Sequence, residues 1–149
     1  MNKHGTILLV EDDANDVLLM QKALTEAGVT HRVHTVHTGE QAVKYLSGHG
    51  KFADRANHPL PFLVLLDLKM PGEGGFAVLR WLFERPGLKK KFAVIVFSSV
   101  SQENEVQLAY ELGAQSFIVK STDYGQLLET AQRIKQYWLD LNQFPTQVT

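Results

Sequence analysis

Glu11, Asp12, Asp67, Ser98 and Lys120 are the residues of this chain whose types and placement offer chemistry, because each follows directly on a short apolar run. Where buried strands emerge into loops, such a set would gather three carboxylates, a hydroxyl and an amine. Carboxylates about 4 Å apart repel by roughly 4 kcal/mol per pair at an effective dielectric of 20. A hard divalent cation offsets that repulsion, and Mg2+ suits one or two carboxylates together with a phosphate. An aspartate can itself take a phosphoryl group covalently, while an amine and a hydroxyl neutralise or bond the phosphoryl oxygens. Singly, each residue also has an ordinary reading. Glu11, Asp12 and Asp13 favour the positive end of a helix, Asp67 fits a turn before Pro71-Gly72, Ser98 fits a capping cluster with Ser99 and Ser101, and Lys120 fits an exposed surface.

The shared site therefore depends on the elements that place those residues. The chain has 149 residues, 44% of them hydrophobic, which fits one domain with a core around 5–138 and a tail over 139–149. A chain of this size buries roughly 68–70% of its unfolded surface and needs no staple. It has no cysteine, in keeping with a reducing cytoplasm. The net charge of -1 argues against nucleic acid, and Lys89-Lys90-Lys91 reads as a solvated loop. No apolar run approaches the roughly 20 residues of a membrane span. Met1 to Gly5 leads straight into a strand, without a signal peptide.

Strands are expected at Ile7–Val10, Arg32–Val36, Phe62–Leu66, Phe92–Phe97 and Ser116–Val119. Val17, Leu18, Met20, Ala23, Leu24 and Ala27 recur at helical spacing and stop at Gly28. Thr38 to Gln41 reads as a capping box for a helix carrying Ala42, Val43, Tyr45 and Leu46. A third helix carries Phe76, Leu79, Leu82 and Phe83 and stops by Pro86. The fourth is capped by Ser101 and closed by Gly113, and the fifth runs from Thr122-Asp123 to Leu141. His49 to Pro61 shows no periodicity, and Pro59 and Pro61 forbid regular structure there. Strands alternating with helices imply a doubly wound parallel sheet. In the flavodoxin-like order 2-1-3-4-5, the ligand crevice opens between strands one and three, where the acids stand.

Leu8-Leu9-Val10-Glu11-Asp12, Leu65-Leu66-Asp67-Leu68-Lys69-Met70-Pro71 with Gly75, Val96-Phe97-Ser98, Gly113-Ala114 and Val119-Lys120 together resemble the receiver domain of two-component response regulators. The resemblance implies that Asp67 is the phosphoacceptor and that Asp12 binds Mg2+ directly. It places Glu11 on the metal through water and the Lys69 backbone carbonyl among its ligands. Ser98 and Phe117 take the family's switch positions. A sensor histidine kinase would supply the phosphate, so the chain would be a phosphorylated signalling protein rather than an enzyme. The segment from Gly48 to Pro61, Lys120-Ser121, and Tyr137-Trp138-Leu139 through Phe144-Pro145 look like the small single-domain regulators paired with cyanobacterial phytochromes, which form dimers. A phytochrome kinase and a homodimer follow as expectations. The face of the fourth helix, fifth strand and fifth helix, with the tail, would carry both the switching and the dimer.

The sequence departs from the family where Ser121 follows the lysine instead of Pro. A non-proline cis bond costs about 3–4 kcal/mol, so a trans Lys120-Ser121 bond is expected. Ser98 stands for the commoner Thr, and Lys69 can reach over the site to alter phosphoryl lifetime. An aspartyl-phosphate phosphatase would want a second carboxylate two residues past Asp67, where Lys69 stands. A degenerate receiver would act as a phosphorylation-independent interaction module. Phe117 is a core residue on composition alone, and of His31, His34 and His37 at most the outer two share a strand face. Tyr137, Trp138, Leu141 and Phe144 reach past what the domain needs to cover and mark a partner surface.

Overall fold

The computed structural model describes residues 5–72, 74–99 and 102–144. Uninterrupted apolar runs make strands that tolerate cover on both faces. β1 (Thr6–Val10), β3 (Leu63–Asp67) and β4 (Ala93–Ser98) are buried along their whole lengths. β2 (Arg32–Val36) and β5 (Ser116–Val119), with weaker apolar character, are the half-exposed edges. All pairings are parallel and the order is β2-β1-β3-β4-β5, the flavodoxin-like sheet expected from the sequence.

The helices are α1 (Ala14–Glu26), α2 (Gly39–Ser47), α3 (Gly74–Phe83), α4 (Pro86–Lys89), α5 (Glu103–Glu111) and α6 (Tyr124–Ile134). α6 continues into a π-helical segment, Lys135–Leu141. The sequence reading had five helices, and the short α4 is the addition. Pro86 begins it, at the position where a missing N–H costs nothing. Lys89, expected in a loop, is its last residue and is half-buried.

α1 and α6 cover one face of the sheet, packing Met20, Leu24 and Ala131 on Ile7, Leu65 and Ile95. α2, α3 and α5 cover the other, packing Tyr45, Leu79 and Ala109 with Leu8, Leu66 and Val96. Two members of the expected helical stripes point outward instead, Leu18 at 64% exposure and Phe83 at 57%. Neither is needed to fill a layer that its neighbours Val17 and Leu82 already close. The Ser101 cap lies outside the described residues.

Helix entries are set by side chains that the sequence exposes clearly. Asp13 accepts from the Asp16 N–H, Thr38 from that of Gln41, and Asp123 from that of Gln126. Gln41 reaches back to the His37 N–H and completes the α2 box. Between α2 and β3 the chain is more ordered than its proline content suggested. Gly50–Phe52 forms a 3-10 turn that buries Phe52, and Arg55 donates to the carbonyls of Tyr45, Leu46 and His58. Tyr45, fully buried, donates its hydroxyl to the Pro59 carbonyl. Among the described residues no helix is long and apolar enough to cross a membrane, and no peptide bond is cis, Lys120-Ser121 included.

Candidate functional site

Side-chain alternation along the strands decides which groups meet. Ile7 and Leu9, Leu63 and Leu65, Ile95 and Phe97, and Ile118 all pack on the α1/α6 face. Continuing each strand in steps of two brings Glu11, Asp67 and Lys120 to that same face at the carboxyl edge of the sheet. The contacts agree. Lys120 Nζ lies 2.6 Å from Glu11 Oε1, 2.9 Å from Asp16 Oδ2 and 3.5 Å from Asp67 Oδ2. The Lys120 backbone N–H, donating to the Ser98 carbonyl at 2.7 Å, fixes the root of that side chain on β4.

Glu11, Asp12 and Asp67 form the one group of three or more ligating side chains among the described residues, with oxygens that all lie within 4.8 Å of one another. Glu11 and Asp67 are buried at 4% exposure each, whereas Asp12 faces solvent. Three hard oxygen donors, one of them open to water, fit an ion that keeps part of its hydration shell. His31, His34 and His37 lie in separate surroundings. His31 stacks near Phe62, His34 sits against Tyr45 and His58, and the His37 ring meets the Glu11 carbonyl at 3.1 Å.

The electrostatics follow from burial. Loss of hydration is the largest influence on Glu11 and pushes its carboxyl up to about 7, with the Asp67 charge adding to it. Hydrogen bonds from Lys120 and the Asp13 N–H act the other way without cancelling it. Burial by itself would lower Lys120, but Glu11, Asp16 and Asp67 together hold its ammonium well above the usual lysine range. Asp67 Oδ1 accepts the Lys69 N–H at 3.1 Å, which orients the carboxylate.

The loop after Asp67 is held by a close approach of backbone to backbone. A Cβ at Gly75 would fall 2.5 Å from the Asp67 carbonyl oxygen and 2.9 Å from Leu68 Cα, so no larger residue fits without moving the strand end.

A hollow of about 270 Å3 opens beside these groups, lined by Glu11, Asp16, Asp67, Ser99 and Lys120 at its polar end and by Leu9, Met20 and Leu127 beneath. Ser98 does not line it. It is fully buried and shares the strand parity of Val94 and Val96, which pack toward α5. Phe117 lies on that same face, half-buried against the core. The Lys69 ammonium pairs with Glu105 in the first turn of α5 instead of reaching over Asp67.

Asp16 escaped the sequence reading altogether. Asp13 and Asp16 at cap spacing were a visible signal for the helix start, but the partner of Asp16 lies 104 residues away. Trp138 and Phe144, read as partner surface, fold back instead: Phe144 meets Phe62 edge-on at 4.9 Å, leaving Tyr137 and Leu141 exposed.

Comparison with known proteins gives this arrangement a family. The model of the response regulator receiver domain matches residues 7–132. Response regulator Rcp1 of Synechocystis sp. is 32% identical over 144 residues, covering 97% of this chain and 95% of that protein. The crystal structure of the phosphorylated cyanobacterial phytochrome response regulator RcpA superposes with a TM-score of 0.87 at 35% identity, covering 96% of this chain and 99% of RcpA. The Mn2+-bound form of Rcp1 superposes with a TM-score of 0.84 at 32% identity, covering 95% and 99% of the two chains. With a parallel sheet in the order 2-1-3-4-5 and acids, aspartate and lysine gathered at its carboxyl edge, this chain belongs to the response regulator receiver domain family.

Proposed function

We propose that Asp67 accepts a phosphoryl group from the phosphohistidine of a sensor histidine kinase and that the resulting charge switches the surface formed by α5, β5 and α6. The carrying observation is that Lys120 Nζ stands 3.5 Å from Asp67 Oδ2 while Glu11 and Asp12 bring their oxygens within 4.8 Å of that same carboxylate. An Asp67 oxygen attacks phosphorus, a P–O bond forms, and the P–N bond to the kinase histidine breaks with its electron pair returning to the imidazole. Glu11, Asp12 and Asp67 would hold Mg2+, with the Lys69 backbone carbonyl as a further ligand, and that ion would supply neutralisation of the phosphoryl oxygens. Lys120, 3.5 Å from Asp67 Oδ2, contributes the remaining positive charge. Asp67 is oriented for attack by the Lys69 N–H.

The switch, in this reading, is a change of orientation at the end of β4. Ser98 is turned toward the α5 layer here, and a phosphoryl oxygen on Asp67 offers its hydroxyl an acceptor. Phe117, on the same face, then takes up the space vacated. The comparison with RcpA supports a phytochrome as the kinase, and exposed Tyr110, Val119, Tyr137 and Leu141 support a homodimer on the switching surface.

The test is labelling with acetyl phosphate in Mg2+, followed by a phosphotransfer profile against the host's histidine kinases. The wild-type chain is expected to gain one phosphoryl group and Asp67→Asn none. A wild-type chain that stays unlabelled at saturating Mg2+ would instead make it an interaction module independent of phosphorylation.

A further inference from the structure

Lys120 is shared among three carboxylates, and they are not equivalent. Its two shorter contacts, to Glu11 and Asp16, draw the amine toward α1, and the phosphoacceptor is the most distant of the three. Glu11 also belongs to the acid trio that fits a divalent cation, whereas Asp16 does not. A cation that takes up Glu11 therefore competes with Lys120 for the same carboxylate and leaves Asp16 to the lysine. Asp16 owes its place to the helix and not to the site. It lies in the first turn of α1, its N–H donates to Asp13 Oδ1 at 3.0 Å, and its side chain is 41% exposed at the rim of the hollow. Lys120, by contrast, is 18% exposed, so an alternative partner in bulk water is not readily at hand.

We propose that Asp16 is a positioning residue for Lys120: it retains the amine in the site when a divalent cation engages Glu11, and it is the contact from which a phosphoryl group on Asp67 must draw that amine. The inference rests on the phosphoacceptor reading above and adds a set point to it. Two consequences have opposite signs. With Asp16 present, Lys120 has a second partner and releases Glu11 more easily, which favours metal binding. With the metal in place, the same contact holds Lys120 back from the phosphoryl oxygens, which disfavours the phosphorylated form.

The experiment is a calorimetric double-mutant cycle on the full chain, titrating MgCl2 alone and then beryllofluoride, a phosphoryl mimic, at saturating Mg2+. Asp16→Asn is expected to weaken Mg2+ and tighten beryllofluoride by about threefold to fivefold each, the size of a partly exposed ion pair. Asp16→Glu, which keeps the charge, is expected to restore both affinities toward wild type. Simple removal of a negative charge would shift the two affinities in those same directions, so the decisive arm is Lys120→Met. There Asp16→Asn is expected to change the Mg2+ affinity no further. An equal shift with and without Lys120, or no shift in the wild-type background, overturns the positioning role while leaving the phosphoacceptor reading intact. A wild-type chain that binds neither Mg2+ nor beryllofluoride fails that reading first, and the role of Asp16 falls with it.

Discussion

A carboxyl group that loses its water and faces a second carboxylate resists ionisation, and Glu11 meets both conditions. With its pKa lifted from 4.5 to about 7, folding takes up a proton on Glu11 between those values when no metal is bound. Its contribution to stability is therefore complete below about 4.5 and is lost as pH rises through about 7. Metal binding has the reverse dependence, because the ligand must be ionised. Mg2+ affinity is expected to level off above pH 7 and to fall on the order of tenfold per pH unit below it, and Glu11→Gln to abolish that slope. Calorimetric titrations at pH 6, 7 and 8 measure it, and a flat profile in the wild-type chain would contradict the lifted carboxyl. That Glu11, Asp67 and Lys120 would meet was legible because each sits at the end of an apolar run, on the carboxyl edge of a parallel sheet. Asp16 was not, because an acid in the first turn of a helix already has a sufficient local reason to be there. The Lys69 pairing with Glu105 was equally out of reach, since a long side chain chooses among partners that only tertiary structure brings near.

At the scale of elements, the strands were read closely and the connections less so. β2 and β5 match their expected limits, and β1, β3 and β4 lie within one residue of theirs. The 48–61 connection has no periodicity, and its order comes from one buried tyrosine and one arginine. Gly48 takes the left-handed conformation that ends α2, at φ 72°, and the Arg55 guanidinium lies over that turn, donating to the Tyr45 and Leu46 carbonyls of its last residues. Since a cation at a helix C-terminus also meets the negative end of the dipole, the contact ties the connection to α2. Arg55→Ala is expected to cost about 1–3 kcal/mol, as three carbonyls lose a charged donor. Differential scanning calorimetry should record a Tm lower by about 2–4 °C per kcal/mol, with Mg2+ affinity unchanged because Arg55 is not among the residues around the hollow. A loss of Mg2+ affinity together with Tm would show that the connection supports β1 and its acids as well.

For the molecule as a whole, the edge at β5 is where apolar surface stays open to water. A parallel sheet with helices on both faces still leaves its outer strands unpaired. Val119 on β5 is 52% exposed, Tyr110 on α5 48%, and Tyr137 and Leu141 on the α6 extension 50% and 68%. A groove of about 310 Å3 between β5 and the α6 extension is lined by Ile118, Arg133, Ile134, Tyr137 and Trp138. Phe144 folds back onto Phe62 and Trp138 lies against Phe144, so the surface left for a partner is narrower than the aromatic tail implied. Isologous pairing of two such faces would bury the exposed apolar groups around a twofold axis and place each switch next to its copy. Tyr137→Glu and Val119→Arg are each expected to move the protein from dimer to monomer in sedimentation velocity at micromolar concentration. Because both side chains already face water, monomer stability should change by no more than about 0.5 kcal/mol. Asp67→Asn provides the control that separates assembly from signalling: if the dimer depends on phosphorylation, acetyl phosphate shifts the wild-type equilibrium and leaves that variant where it was. A wild-type chain that sediments as a monomer both with and without acetyl phosphate would remove the twofold face and leave β5 open to a different partner.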